Sequence, residues 1–207
     1  MQKLSGTTAA ILAGGLGTRL RSRVGSCPKV LAEVRGRPFL AFLLDRLASA
    51  GLRQVVLCTG YMSEQVQAFF GSSYCGMRLM YSQEEASCGT AGALRLALPL
   101  LESDCLLMMN GDSFCDADLR AFWLWHSKKP RAASLVLTEL SNTQNYGRVL
   151  LDEDGLLLSF KEKPLQKLWL RLARTFLTQA EKLNSAVEAP TDGSAAGTRW
   201  YLTQGEK

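Results

Sequence analysis

The sequence has little of what several common kinds of site require. Its 207 residues include a single histidine, His126, which excludes a metal site built from several histidines. None of the six cysteines forms a C-x-x-C pair. The pattern therefore predicts scattered thiols in a reducing compartment, the cytoplasm, and neither a disulfide framework nor a zinc site. No apolar run approaches the roughly 18 residues that a membrane helix needs, so no membrane association is expected.

The charge of the chain is also unremarkable in its distribution. The formal net charge is +5 and the pI is about 9.0, but the basic residues form no Lys/Arg run and accompany no nucleic-acid motif. No nucleic-acid partner is expected. Mild basicity suits small anionic substrates, and it suits a solvated surface without a ligand equally well. A hydrophobic share of 47% is ordinary for a globular protein with a sizeable core.

Short apolar runs alternate with amphipathic stretches along most of the chain. This alternation predicts an α/β protein with a mostly parallel sheet covered on both faces. Ligands bind beyond the C-terminal strand ends of such sheets. Strands are predicted over residues 8–13, 54–59, 77–82, 104–110 and 132–139, with a hairpin of residues 147–152 and 156–161. Helices are predicted over residues 39–49, 63–70, 90–101 and 118–127.

The character of the chain changes at about residue 165. Residues 165–180 carry apolar side chains on one helical face, and residues 184–197 are rich in Ala, Ser, Pro, Thr and Gly. Residues 199–203 suit one last short strand. The sequence therefore predicts a domain over residues 1–164, followed by a divergent helical and flexible tail over residues 165–207.

The strongest chemical signal is L-A-G-G-L-G-T-R-L-R at residues 12–21, followed by P-K at residues 28–29. Glycines after a strand let backbone N–H groups approach phosphate oxygens, although a tight turn needs them as well. Arg19 and Lys29 add positive charge beside them. A Walker loop is excluded because no Gly-Lys-Ser/Thr follows, and a Rossmann fingerprint fits poorly because no acidic residue ends the second strand.

This motif resembles the signature of the sugar-1-phosphate nucleotidyltransferases. Further motifs agree in order and spacing: R-G-R-P-F-L at 35–40, C-G-T-A-G-A-L at 88–94, N-G-D at 110–112, Y-G-R-V at 146–149 and F-K-E-K-P at 160–164. The resemblance covers about residues 9 to 164. It is strongest to the D-glycero-α-D-manno-heptose 1-phosphate guanylyltransferases, with mannose-1-phosphate guanylyltransferases close behind.

The resemblance implies a three-layer Rossmann-like α/β fold with a mostly parallel mixed sheet. It also implies transfer of GMP from GTP to a sugar 1-phosphate, with release of pyrophosphate, for lipopolysaccharide or capsule synthesis. The attacking oxygen is already an anion, so neither a catalytic His nor a catalytic Cys is expected. The oligomeric state is left open, with a homo-oligomer as one option.

The resemblance also implies roles for individual residues. Arg19 would neutralise the leaving phosphates, Lys29 would draw the α-phosphate and the sugar phosphate together, and Asp112 would bind Mg²⁺. The nucleotide would be held by Leu12, Ala13, Gly14, Gly15, Gly17, Thr18, Glu84, Gly89 and Thr90. The sugar phosphate would be held by Gly147, Glu162 and Lys163.

Several of these roles have simpler structural alternatives. Asp112 could cap a turn, and Glu84 could belong to a solvated turn. The sequence leaves open which nucleotide base is bound, because relatives carry Glu-Pro-Leu where this chain has Ala-Ser-Cys at residues 86–88. Asp116 and Asp118 are expected to cap the helix that begins there. His126 is expected to be structural.

Two family motifs are missing after residue 164, namely a G-x-I-N-A-G-x-Y strand and an F-x-D-I-G-T-P segment with a second acidic metal ligand. The expectation is that the C-terminal part is either a divergent replacement or the product of a truncation or frameshift. The alternative function is therefore a non-catalytic nucleotide-binding protein.

Overall fold

The structure is a computed structural model that describes residues 3–15, 27–128, 133–138, 147–153, 157–161 and 198–203. The chain divides into two compact units, Met1–Asp116 and Ala117–Lys207. None of the described helices is long and apolar enough to cross a membrane.

Eleven strands lie in the described ranges, and they pair into one five-stranded mixed sheet and three two-stranded antiparallel sheets. In chain order they are β1 Thr8–Leu12, β2 Glu33–Val34, β3 Arg37–Pro38, β4 Gln54–Thr59, β5 Ser73–Tyr74, β6 Met77–Gln83, β7 Leu106–Asn110, β8 Ala133–Thr138, β9 Arg148–Leu151, β10 Leu157–Lys161 and β11 Thr198–Thr203. The described α-helices are α1 Phe39–Ala50, α2 Ser63–Phe70, α3 Gly89–Ala97 and α4 Leu119–Ser127.

The first unit is built on a five-stranded sheet with the order β5-β6-β4-β1-β7. β1 pairs in parallel with β4 on one side and with β7 on the other, and β4 pairs in parallel with β6. Only β5 runs antiparallel, in a hairpin with β6. The predicted α/β class with a mostly parallel mixed sheet is confirmed.

The core of the first unit lies on both faces of this sheet. Successive strand residues point to opposite faces, and every residue of β4 from Val55 to Thr59 is buried. On one face, Val56 and Cys58 cluster with Ala93 and Ala97 of α3. Helix α1 buries its own apolar stripe of Leu40, Leu43, Leu44 and Leu47 completely.

Two helices differ from the sequence prediction at their ends. The predicted helix 90–101 ends as α-helix at Ala97 and continues as a 3₁₀ turn over Leu98–Leu100, because Pro99 has no N–H for an α-helical hydrogen bond. Asp118 caps α4 as expected, since its carboxylate accepts hydrogen bonds from the N–H groups of Arg120 and Ala121. Asp116 does not cap the helix; it pairs with Arg46 instead.

The second unit holds α4 and two antiparallel strand pairs. β9 and β10 form the predicted hairpin, and β11 pairs with β8 from Thr198 to Thr203, in agreement with the predicted last strand. His126 Nδ1 lies 2.6 Å from Ser134 Oγ, and burial lowers the pKa of this histidine. This contact is compatible with the structural role expected for His126, which stays a prediction. The predicted boundary at residue 164 stays a prediction.

Candidate active site

Four loops leave the carboxyl ends of the parallel strands in the first unit, and backbone hydrogen bonds tie them together. The Ala13 N–H donates to Cys58 O at 2.8 Å, and the Gly111 N–H donates to Leu12 O at 2.8 Å. The Glu84 N–H donates to Thr59 O at 2.8 Å. The loops after β1, β4, β6 and β7 therefore start from one connected edge, which is where ligands bind in parallel sheets.

Three glycines lie where these loops approach one another closely, and at two of them the neighbouring atom is backbone. A Cβ on Gly111 would lie 2.7 Å from Leu12 O, and a Cβ on Gly60 would lie 2.9 Å from Gly14 O. A Cβ on Gly14 would lie 2.5 Å from Glu84 Oε1. The sequence predicted Gly14 and Gly15 as residues that approach phosphate. For Gly14 the structure adds a reason within the protein itself, which is the carboxylate of Glu84.

Lys29 and Asp112 form the charged centre of this edge. Lys29 Nζ lies 2.6 Å from Asp112 Oδ2, and the two side chains are 33% and 45% exposed. Ser113 Oγ donates to Asp112 Oδ1 at 3.1 Å. The hydrogen bond from Lys29 is the main reason why the pKa of Asp112 lies below its ordinary value. A cation and an anion that face solvent together can each receive a ligand of opposite charge.

Local packing places Lys29 beside Asp112. Lys29 begins a 3₁₀ turn, Lys29–Leu31, in which Val30 is buried. The Val30 side chain packs against Gly111, since a Cβ there would lie 3.2 Å from Val30 Cγ1. Buried Val30, which follows Lys29, therefore packs against the residue that precedes Asp112 and brings the two charged residues together.

Glu84 fastens the loop that follows β6. Its Oε2 accepts a hydrogen bond from the Cys88 N–H at 2.9 Å, and Cys88 Sγ donates to Ala86 O at 3.1 Å. Gly89 has a φ of +71° and begins α3, with Thr90 as the next residue. The carboxylate therefore holds the loop of residues 84–88 against Gly14. This contact has no signal in the sequence, which leaves Glu84 either as a candidate for binding the base or as part of a solvated turn.

Cys58 lies under the same edge but is unsuited to nucleophilic chemistry. It is fully buried, and burial together with the charge of Glu84 raises the pKa of its thiol to about 11. It remains a neutral thiol near pH 7. All six cysteines are free.

The other predicted site residues divide into two groups. Gly147 lies in the second unit at the start of the β9–β10 hairpin, where a Cβ would come within 3.0 Å of Phe160 Cζ. Five predicted residues lie outside the described residues: Gly17, Thr18, Arg19, Glu162 and Lys163. The remaining predicted residues all lie in the first unit, at the strand ends or in the turns, loops and helix start that follow: Leu12, Ala13, Gly14, Gly15, Lys29, Glu84, Gly89, Thr90 and Asp112.

Comparison with known proteins identifies the family of the chain. A sequence model of the nucleotidyl transferase family matches residues 8–181. The chain belongs to the nucleotidyl transferase family.

Two relatives and one solved structure show how far the likeness extends. The D-glycero-alpha-D-manno-heptose 1-phosphate guanylyltransferase of Campylobacter jejuni is 36% identical over 159 residues, which is 77% of this chain and 70% of the relative. The mannose-1-phosphate guanylyltransferase catalytic subunit beta of Drosophila melanogaster is 37% identical over 164 residues, which is 77% of this chain and 44% of the relative. The crystal structure of HddC from Yersinia pseudotuberculosis is 28% identical with a TM-score of 0.63, and it covers 76% of this chain and 69% of that chain.

The resemblance seen in the sequence is thereby confirmed, and so is the expectation of a nucleotidyltransferase. The family match and the guanylyltransferases among the relatives support nucleotidyl transfer to a sugar 1-phosphate. The chain spans less than half the length of the Drosophila relative, 44%. The roles of the individual site residues stay predictions.

Proposed function

We propose that this nucleotidyl transferase joins GMP from GTP to a sugar 1-phosphate and releases pyrophosphate. The observation that carries the proposal is the solvent-facing Lys29–Asp112 pair at 2.6 Å, at the carboxyl edge of the parallel sheet. In the reaction, an oxygen of the sugar phosphate attacks the α-phosphorus in line. The bond from the α-phosphorus to the bridging oxygen breaks, and the electron pair leaves with pyrophosphate. Negative charge is redistributed, so a fixed cation is the main requirement.

Lys29 supplies that cation from the described part of the site. Its ammonium would leave the carboxylate of Asp112 and bind the α-phosphate and the incoming sugar phosphate together. Arg19, predicted from the sequence, would bind the phosphates that leave. No residue has to remove a proton from the nucleophile, which agrees with the neutral thiol at Cys58.

Asp112 fits a divalent cation in its chemistry. It offers hard carboxylate oxygens, the preferred ligands of Mg²⁺, at an exposed fraction of 45%. Within the described ranges, no group of three or more His, Cys, Asp or Glu side chains could hold a metal ion. This fits Mg²⁺ bound by one carboxylate together with substrate phosphates, a common arrangement for this ion. The ion would supply charge neutralisation between the phosphates.

Guanine is the base that Glu84 suits best. A carboxylate can accept hydrogen bonds from both N1–H and the 2-amino group of guanine, which uracil and thymine cannot offer together. Oε2 already accepts one bond from the Cys88 N–H, and each carboxylate oxygen has a second acceptor site. The relatives named as guanylyltransferases favour the same base. The sugar, and a role in lipopolysaccharide or capsule synthesis in the cytoplasm, belong to the same proposal.

The test is pyrophosphate release from GTP, UTP, dTTP, ATP and CTP with a panel of heptose and hexose 1-phosphates and Mg²⁺. GTP with one sugar phosphate should give release well above the other nucleotides, and E84Q should reduce that preference. GTP binding by calorimetry without release from any pair would favour the non-catalytic alternative. If GTP does not bind and no pair of substrates releases pyrophosphate, the proposal is overturned.

A further inference from the structure

The segment that carries Asp112 has no regular secondary structure of its own. After β7 ends at Asn110, residues 111–116 form a turn and then an irregular stretch. Its first residue is fixed to the sheet, because the Gly111 N–H donates to Leu12 O at 2.8 Å. Such a segment keeps one conformation only if contacts further along it offset the entropy of ordering.

Arg46 makes those contacts at the other end of the segment. Its Nη1 lies 2.7 Å from Asp116 Oδ1, and its guanidinium carbon lies 5.1 Å from the ring centroid of Phe114. One planar group thus makes an ion pair and a cation–π contact with residues two apart. The combination matters because the carboxylate is 88% exposed, and an exposed ion pair alone holds little.

The helix that carries Arg46 is anchored in the core. It lies on α1, where its neighbours Leu43, Leu44 and Leu47 are completely buried in the core. The Arg46 side chain is 21% exposed, much less than either group that it holds. Its position is therefore set by the core, and the exposed segment takes its position from the arginine.

We infer that Arg46 is a positioning residue for the reaction: it holds residues 111–116 so that the Asp112 carboxylate faces the metal and phosphates. This inference rests on the proposed role of Asp112. Partners that orient a ligand typically change metal affinity or activity by about 10- to 100-fold when removed. R46M keeps the aliphatic stem and removes the guanidinium. It should raise the Mg²⁺ concentration for half-maximal rate about tenfold, with the rate at saturating Mg²⁺ changed much less.

The chain offers a closely matched control. Arg37 Nη2 lies 2.7 Å from Asp45 Oδ2, and its guanidinium carbon lies 5.0 Å from the Phe42 ring centroid. R37M removes the same two kinds of contact, together with a hydrogen bond to Tyr74 Oη at 3.2 Å, and the partners belong to α1 and β5 instead of residues 111–116. R37M should leave the Mg²⁺ requirement unchanged. R46K keeps the charge without the planar stack and should fall between R46M and the wild type.

Hydrogen–deuterium exchange of peptides covering residues 111–116 gives a second readout that needs no substrate or metal. R46M should exchange faster there, and R37M should not. Should R46M fail to fold, D116N makes the same test at a position whose side chain is 88% exposed. Faster exchange together with the raised Mg²⁺ requirement supports the inference.

Unchanged exchange in R46M, or faster exchange with an unchanged Mg²⁺ requirement, overturns it. The same changes in R37M overturn it as well, because they would indicate general destabilisation. If the wild-type protein releases no pyrophosphate, or releases it only when Mg²⁺ is absent, that result overturns the proposed function instead. Exchange of residues 111–116 then still decides whether Arg46 holds the segment.

Discussion

The strand-end loops of the first unit and the β9–β10 hairpin of the second unit both place a glycine where a side chain would collide, but the obstacles differ. At Gly111 and Gly60 the obstacle is backbone, namely Leu12 O and Gly14 O. At Gly147 it is the far edge of the Phe160 ring, a side chain that is 55% exposed. Backbone at or next to a sheet that is held by hydrogen bonds moves aside less readily than an exposed ring, which can rotate. The comparison indicates that the first unit fixes its loops far more tightly than the hairpin fixes Gly147.

The largest effect expected from this comparison concerns the lysines of the two units. K29M removes the cation beside Asp112 and should lower kcat about 10²- to 10³-fold, the usual cost of removing one charge-stabilising donor. K163M, at a residue predicted from the sequence to bind the sugar phosphate, should act mainly on KM for that substrate. Steady-state kinetics on both substrates measures the difference, with K3M as an exposed control. Equal losses of kcat in K29M and K163M would contradict the expected difference between the two units.

Next in size is the substitution of Gly111. In G111A the new methyl meets Leu12 O at 2.7 Å and contacts Ile11 and Val30 at 3.2 Å. Such overpacking should lower the free energy of unfolding by about 1–3 kcal/mol. Urea denaturation measures it, with G6A as the matched control, because a Cβ on Gly6 meets no atom within 4 Å. If G111A were as stable as G6A, the loops would be less tightly fixed than their distances indicate.

The corresponding change in the hairpin should be smaller. In G147A the methyl lies 3.0 Å from Phe160 Cζ, and rotation of the exposed ring can relieve the contact. The free energy of unfolding should change by no more than about 0.5 kcal/mol. The double variant G147A/F160A should remove even that difference in urea denaturation. A loss in G147A as large as in G111A would show that the hairpin is equally rigid.

The smallest effect concerns the pH dependence of the Lys29–Asp112 pair. Lys29 lowers the pKa of Asp112 below its ordinary value of 3.8. A lowered pKa contributes stability that is complete above the unfolded value and is lost as the pH falls through the folded one. The contribution is limited to a few tenths of a kcal/mol, on the order of an exposed pair, because the carboxylate is 45% exposed.

D112N should therefore lose less stability than the wild type as the pH falls below the ordinary carboxyl value of 3.8, as measured by urea denaturation at each pH. An identical acid profile for wild type and D112N would contradict the predicted shift.

Much of the fold follows from patterns along the chain. Helix α1 was predicted over residues 39–49 because its apolar spacing is helical, and Gly51 ends it with a φ of +97°. The β9–β10 hairpin was predicted from alternation around a turn. The β2–β3 hairpin was missed, because two-residue strands carry no period that a pattern could reveal. Asp116 was expected to cap a helix, since nothing local distinguishes it from Asp118.

The sequence by itself determined the family, the α/β class and the identity of the charged candidates, because these depend on residue types in a fixed order. Lys29, Glu84 and Asp112 are all recognisable in that way. Tertiary structure decided what these residues contact: Lys29 meets Asp112, Glu84 lies over Gly14, and Arg46 holds the segment that carries Asp112. These partners lie tens of residues apart along the chain. The parallel pairing of β1, β4, β6 and β7 aligns their carboxyl ends, which places Gly14, Glu84 and Asp112 at one edge. Lys29 and Arg46 reach Asp112 and Asp116 from a 3₁₀ turn and from α1.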